Sequence, residues 1–155
     1  MQRLALSLFI LLLAACATPS RPPEQASGVG LNEVALYAMS LADTPYRYGG
    51  NSVENGFDCS GFVQHVYLNT LGMRLPRTSA EMSRIGLNLE AGQLRPGDLV
   101  FFNTRKKPFS HVGIYVGENR FVHSPSSGRA IMVSSMRENY WRSRYNGARR
   151  VTSAG

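Results

Sequence analysis

The spacing of apolar residues changes once along this chain, close to Ile85, and that change restricts the fold more than any other feature. Before it the spacing is helical. Val34, Leu36, Tyr37 and Leu41 recur over Glu33–Ala42, with Asn32 as the expected N-cap and Asp43-Thr44-Pro45 as the stop. Tyr46 to Gly50 forms a turn, and Asn51 to Gly56 a polar loop. A second helix opens at Asp58, buries Phe62, Val63, Val66, Tyr67 and Leu71, and breaks at Gly72. Thr78-Ser79-Ala80-Glu81 is a capping box, which predicts a short third helix to about Ile85. Four short runs follow, rich in Val, Ile, Phe and Tyr and separated by turn residues: Asp98–Phe102, His111–Val116, Arg120–Ser124 and Ile131–Ser134. They predict an antiparallel meander. Helices first and strands afterwards make an α+β domain, with the helices packed on one face of a small curved sheet.

The N-terminus is a separate unit. Arg3 precedes an apolar run from Leu4 to Leu13, which is about half the roughly 20 residues a membrane-spanning helix needs, so residues 1–15 are expected to be a cleaved signal. The run ends in Leu13-Ala14-Ala15-Cys16, which looks like a bacterial lipobox, with Cys16 as the lipidated residue of a membrane anchor. The alternative is an ordinary signal with a cysteine at the cut by chance. Ala17 lacks the aspartate that resembles an inner-membrane retention mark, so the expected place is the outer membrane, facing the periplasm. Residues 16–30 are rich in proline, glycine and serine and are expected to form a flexible tether, and residues 31–152 one domain.

The net charge of +7, or +6 once Arg3 is removed, suits an acidic partner: nucleic acid, anionic lipid or a carboxylate-rich wall polymer. Export with an anchor argues against nucleic acid. Five arginines between Arg137 and Arg150 alternate with Tyr140, Trp141 and Tyr145. That run is either a stacking patch for bases or, the plainer alternative, a solvated edge whose aromatics pack onto the domain.

If Cys16 carries lipid, Cys59 is the only thiol left. It lies in the first turn of its helix, where unpaired amides and the macrodipole favour the thiolate and can also hold a tetrahedral oxyanion. His65 lies about 240° around the same helix from Cys59 and belongs to another face. His111 and His123 lie on consecutive strands. With Gly117-Glu118-Asn119 as a three-residue loop, Gly113 pairs with His123 and both histidines share one side as diagonal neighbours; a two-residue turn would set them on opposite sides. This nominates His111 as general base and His123 as the group that orients it, with Gly113 leaving room over the sheet. Zinc bound by Cys59, His111 and His123 is the chemical rival, weakened by the lack of close-spaced ligand pairs.

The run Asp58-Cys59-Ser60-Gly61-Phe62-Val63-Gln64, the phrase Arg95-Pro96-Gly97-Asp98-Leu99-Val100-Phe101-Phe102, and His111-Val112-Gly113-Ile114-Tyr115 with Phe121-Val122-His123 resemble the NlpC family of cell-wall cysteine peptidases. Tyr140 to Tyr145 and Ala148 to Val151 are similar to its Spr lipoprotein branch. The resemblance implies a papain-like domain with Cys59, His111 and His123 as the triad. It further implies Tyr46 beside the oxyanion, Asp58 and Ser60 lining the substrate site, and no metal or organic cofactor. The implied substrate is the murein stem peptide, cut at D-alanyl to meso-diaminopimelate cross-links or at γ-D-glutamyl to diaminopimelate bonds. An amidase acting between muramic acid and L-alanine and a non-catalytic wall-binding lipoprotein are the other readings. Arg77 is either a contact for a substrate carboxylate or an exposed arginine beside a proline turn. Nothing in the chain names a regulatory adaptor.

Overall fold

The computed structural model of this protein describes residues 23–126 and 129–152, so the expected signal, Cys16 and the first part of the tether lie outside the described residues. Helix α1 runs Pro23–Ser40, beginning well before the expected cap. Asn32 is interior to it, because Leu31, Val34, Ala35 and Ala38 are all buried and extend the apolar stripe past that position. Proline is tolerated in the first turn, where its missing amide hydrogen would have had no partner. Residues 23–30, read as tether, are helical. After α1, Asp43 and Thr44 bond to the backbone of Ile131, tying the helix end to the far side of the domain.

The expected polar loop contains a two-stranded ribbon, β1 (Asn51–Ser52) and β2 (Gly56–Phe57), which delivers the chain to helix α2 (Cys59–Leu71). Asp58 caps α2, its carboxylate accepting from the Gly61 amide, and Gly72 closes it in a left-handed conformation. The capping box at Thr78 is formed, but α3 spans only Ser79–Met82, one turn anchored by buried Met82. No helix among the described residues is long and apolar enough to cross a membrane.

Six strands form the main sheet: β3 (Leu87–Leu89), β4 (Leu99–Phe102), β5 (His111–Gly117), β6 (Arg120–His123), β7 (Met132–Ser135) and β8 (Tyr145–Arg150). A one-turn helix, α4 (Asn139–Arg142), joins β7 to β8. The order is β3-β8-β4-β5-β6-β7, antiparallel throughout, so the expected meander is its larger part. The departure is β8. The arginine-rich run expected at a solvated edge is an interior strand, hydrogen-bonded on both sides. Its charges are accommodated because Arg150 forks onto the fully buried Asp98 at 2.7 and 2.8 Å, and Arg149 Nε donates to the Ser83 carbonyl at 2.6 Å.

Both faces of the sheet are covered. Leu99, Phe101, Val112, Ile114 and Val122 meet the helices, while Val100, Phe102, Tyr115 and Phe121 pack with Trp141 on the opposite face. This is why Leu99, Val100, Phe101 and Phe102 are all buried, a continuous apolar run without alternation. The sheet's end, where α2 begins and β5 starts, is where the two layers meet.

Candidate active site

Cys59 is the first residue of α2, and the cap that starts this helix also fixes its position. Asp58 Oδ1 accepts from the Gly61 amide at 2.7 Å, and the Asp58 amide donates to the Gly50 carbonyl at 3.0 Å. Gly61 is required here because a Cβ would run into the Gly50 carbonyl oxygen. The sulfur is half-buried, and the backbone N–H groups of Ser60 and of Val112, the residue after His111 on β5, act to lower its pKa.

The β5–β6 hairpin solves its register differently from expectation. The turn has two residues, Glu118 and Asn119, both with positive φ (54° and 57°), the geometry of a type I′ turn. Alone, that turn would set the histidines on opposite sides. A bulge between Tyr115 and Gly117 absorbs one residue and restores the pairing Ile114↔Val122, so His111 and His123 share a side after all. A Cβ on Gly113 would lie 2.6 Å from the Phe121 ring and 3.2 Å from His123 Cβ, so only glycine allows this approach.

His111 Nε2 lies 2.9 Å from His123 Nδ1, and His123 Nε2 lies 3.0 Å from Ser134 Oγ. If each imidazole carries its proton on Nε2, His111 donates to His123, His123 donates to Ser134, and His111 Nδ1 is left as a free base. His123 then has no nitrogen to spare for a metal. The rival zinc set therefore does not fit, since one of its three ligands is committed twice over.

Trp141 completes this half of the site. Its indole stacks on His111 at 5.6 Å and meets His123 edge-on at 4.8 Å. Sequence reasoning left it in the arginine-rich run, with no sign that α4 would fold it over the histidines. Ser134 was missed as well. His65 sits on another face of α2, bonded to the Tyr37 hydroxyl at 3.1 Å and packed on Phe57.

Cys59, His111 and His123 open onto one cavity of about 510 Å³, with Tyr46, Arg105 and Arg129 on its walls. Burial raises the Tyr46 phenol's pKa, and the Arg105 guanidinium pulls it the other way. Asp58 reaches the cavity, but both its carboxylate oxygens are occupied by Gly49, Ser60, Gly61 and Arg77. Ser60, expected to line the substrate site, has a buried hydroxyl between Asp58 and Arg77. Arg77 is no free surface arginine, because its fork closes on Asp58.

The protonation of the resting site also differs from expectation. Burial pushes the Cys59 thiol up, the adjacent Asp58 carboxylate adds to this, and the Val112 and Ser60 amides with Arg105 pull weakly the other way. Burial holds His111 down at about 4, helped by Arg105, and lowers His123 further, with His111 and Arg129 adding to the effect. Burial thus works against the expected ionisation of the thiol, as it does against that of the imidazole across the same cavity. Helix position favours ionisation, but removal from water outweighs it here.

Several known proteins are similar to this chain. It is 47% identical over 108 residues to murein DD-endopeptidase MepS/murein LD-carboxypeptidase of Escherichia coli (strain K12), covering 70% of this chain and 56% of that one. It is 41% identical over 131 residues to murein DD-endopeptidase MepH of the same strain, covering 83% and 47%. The match thus spans about half the length of these curated relatives. Among solved structures, an NlpC/P60 family protein from Bacillus cereus superposes with a TM-score of 0.72 at 32% identity, covering 77% of this chain and 39% of that one. The family profile itself matches residues 43–150, a span holding the capped cysteine, the bulged hairpin and the tryptophan that covers it, and the chain belongs to the NlpC/P60 family.

Proposed function

We propose that this protein is a thiol hydrolase of peptidoglycan that cuts the D-alanyl to meso-diaminopimelate bond of stem-peptide cross-links. The observation that carries the reading is the shared cavity of Cys59 and a His111 whose Nε2 is bonded to His123, leaving Nδ1 for the thiol. Sγ attacks the scissile carbonyl carbon as its proton passes to His111 Nδ1, and the imidazolium is steadied by His123 and, behind it, Ser134. The Cys59 amide, which a helix start leaves without an acceptor, and the Tyr46 phenol serve the oxyanion. His111 gives its proton to the departing amine, leaving a thioester on Cys59. Water then loses a proton to His111 as it attacks the thioester, the C–S bond breaks, the sulfur takes that proton from His111, and the cleaved peptide leaves as its carboxylic acid.

The basic cavity wall, Arg105 and Arg129, suits a substrate carrying free carboxylates. The names of the two relatives support the choice of bond. Cys59→Ala is expected to fold normally and to release no peptides from purified sacculi; undiminished release would end the proposal. Mass spectrometry of digested muropeptides separates the rival cuts, since only an amidase strips peptide from glycan. From the sequence, we also propose an outer-membrane anchor through Cys16. Cys16→Ser should move the protein from the membrane fraction to the soluble one, and retention there would count against the anchor.

A further inference from the structure

We propose that Arg77 is a positioning residue: its guanidinium fork neutralises the Asp58 carboxylate and holds the first turn of α2, and with it Cys59, in reacting geometry. Arg77 Nη2 lies 2.6 Å from Asp58 Oδ2, and Nη1 lies 3.0 Å from Asp58 Oδ1 and 2.8 Å from Ser60 Oγ. The two bonded residues flank the nucleophile in sequence. A planar fork gives the two carboxylate oxygens parallel bonds from two nitrogens, a fixed geometry that an ammonium lacks. The same carboxylate accepts from Gly49 and Gly61, so it links the loop before α2 to the helix it caps. All of its acceptor positions are taken within the chain, and it acts through Cys59.

The electrostatic consequence is specific. An uncompensated carboxylate next to Cys59 opposes thiolate formation, and Asp58 already does so with Arg77 in place. The other polar groups near the sulfur are His111 on β5, Tyr46 before α2 and Arg105 between β4 and β5; Arg77 is the cation bonded to Asp58. The inference rests on the proposed thiol chemistry, but its test reads the thiol and not hydrolysis.

The measurement is the pH dependence of Cys59 alkylation by iodoacetamide in the full chain, followed at the Cys59 peptide by mass spectrometry, with circular dichroism to verify folding. Arg77→Gln should move the profile up by about one unit, a loss of about tenfold in rate near neutral pH. Arg77→Lys should fall between the two, since it keeps the charge and loses the fork. In the Asp58→Asn/Arg77→Gln double variant the amide still caps the helix without a charge, and the profile should return to within about twofold of the parent rate. A folded Arg77→Gln with the parent profile, or a double variant as slow as the single one, overturns the proposal. If Arg77→Gln does not fold, Arg77→Lys decides, and a parent profile there overturns it equally. Shifted profiles beside a Cys59→Ala variant that still digests sacculi would sink the proposed function and leave the role of Arg77 standing.

Discussion

The helix half of the site and the hairpin half are held by different forces. Cys59 is positioned by backbone amides, a capping carboxylate and an ion pair, all close to solvent. His111 and His123 are positioned by packing, 6% and 1% exposed, with Trp141, Phe102 and Phe121 around them. A nucleophile must meet substrate, so it cannot be enclosed, and polar contacts that tolerate water hold it instead. His111 needs only one ring edge on the cavity, so the rest of its imidazole can be enclosed. Enclosure costs basicity: burial lowers the His111 pKa to about 4 and raises that of the Cys59 thiol.

The largest test of this contrast is Trp141→Ala. Removing the indole should lower stability by about 3 to 5 kcal/mol in urea melts, and should cut turnover because His111 loses its stack. An unchanged melt would mean packing does not hold the hairpin half. Next comes pH. Both buried histidines have folded pKa values below the unfolded 6.5, so between that value and about 4 the unfolded chain binds protons the folded one refuses. Stability is thus full above about pH 6.5 and lost as pH falls through the window, by about 3 kcal/mol for His111 alone. Equal urea midpoints at pH 7 and pH 4.5 would refute enclosure as the cause.

Gly61→Ala probes the helix half, where a Cβ collides with the Gly50 carbonyl. We expect about 1 to 3 kcal/mol of destabilisation and slower Cys59 alkylation, with little change in the pH dependence set by the histidines. An alkylation rate equal to the parent's would show that the cap does not position the sulfur. The smallest effect belongs to Ser134→Ala, which leaves the buried His123 N–H unpaired at a cost of about 1 to 3 kcal/mol. Its signature is a drop in kcat with KM preserved; a change confined to KM would place Ser134 on the substrate instead.

Local signals located the helix half well. The capping carboxylate, the glycine break at Gly72 and the capping box at Thr78 are all encoded within a few residues, so they were legible before any fold was known. The start of α1 was not, because prolines and glycines suggested a tether while burial of Leu31 and Val34 against the rest of the domain favours helix there. β8 was invisible for a related reason. Its Arg149 and Arg150 look solvated until Ser83 and Asp98, 66 and 52 residues away, provide their partners. The shared side of the histidines was foreseen from a wrong turn: a three-residue loop and a two-residue turn with a bulge produce the same pairing.

By itself the sequence determined that three helices precede an antiparallel meander, that the thiol of the domain starts a helix, and that a pair of histidines lies on neighbouring strands. These follow from spacing and from residue chemistry, which act over one or two turns. Only the tertiary structure decided that Trp141 covers the histidines, that Arg77 closes on Asp58, and that burial pushes the Cys59 thiol up. Each of those depends on groups far apart in the chain being brought together, and both burial and ion pairing act through space rather than along the backbone.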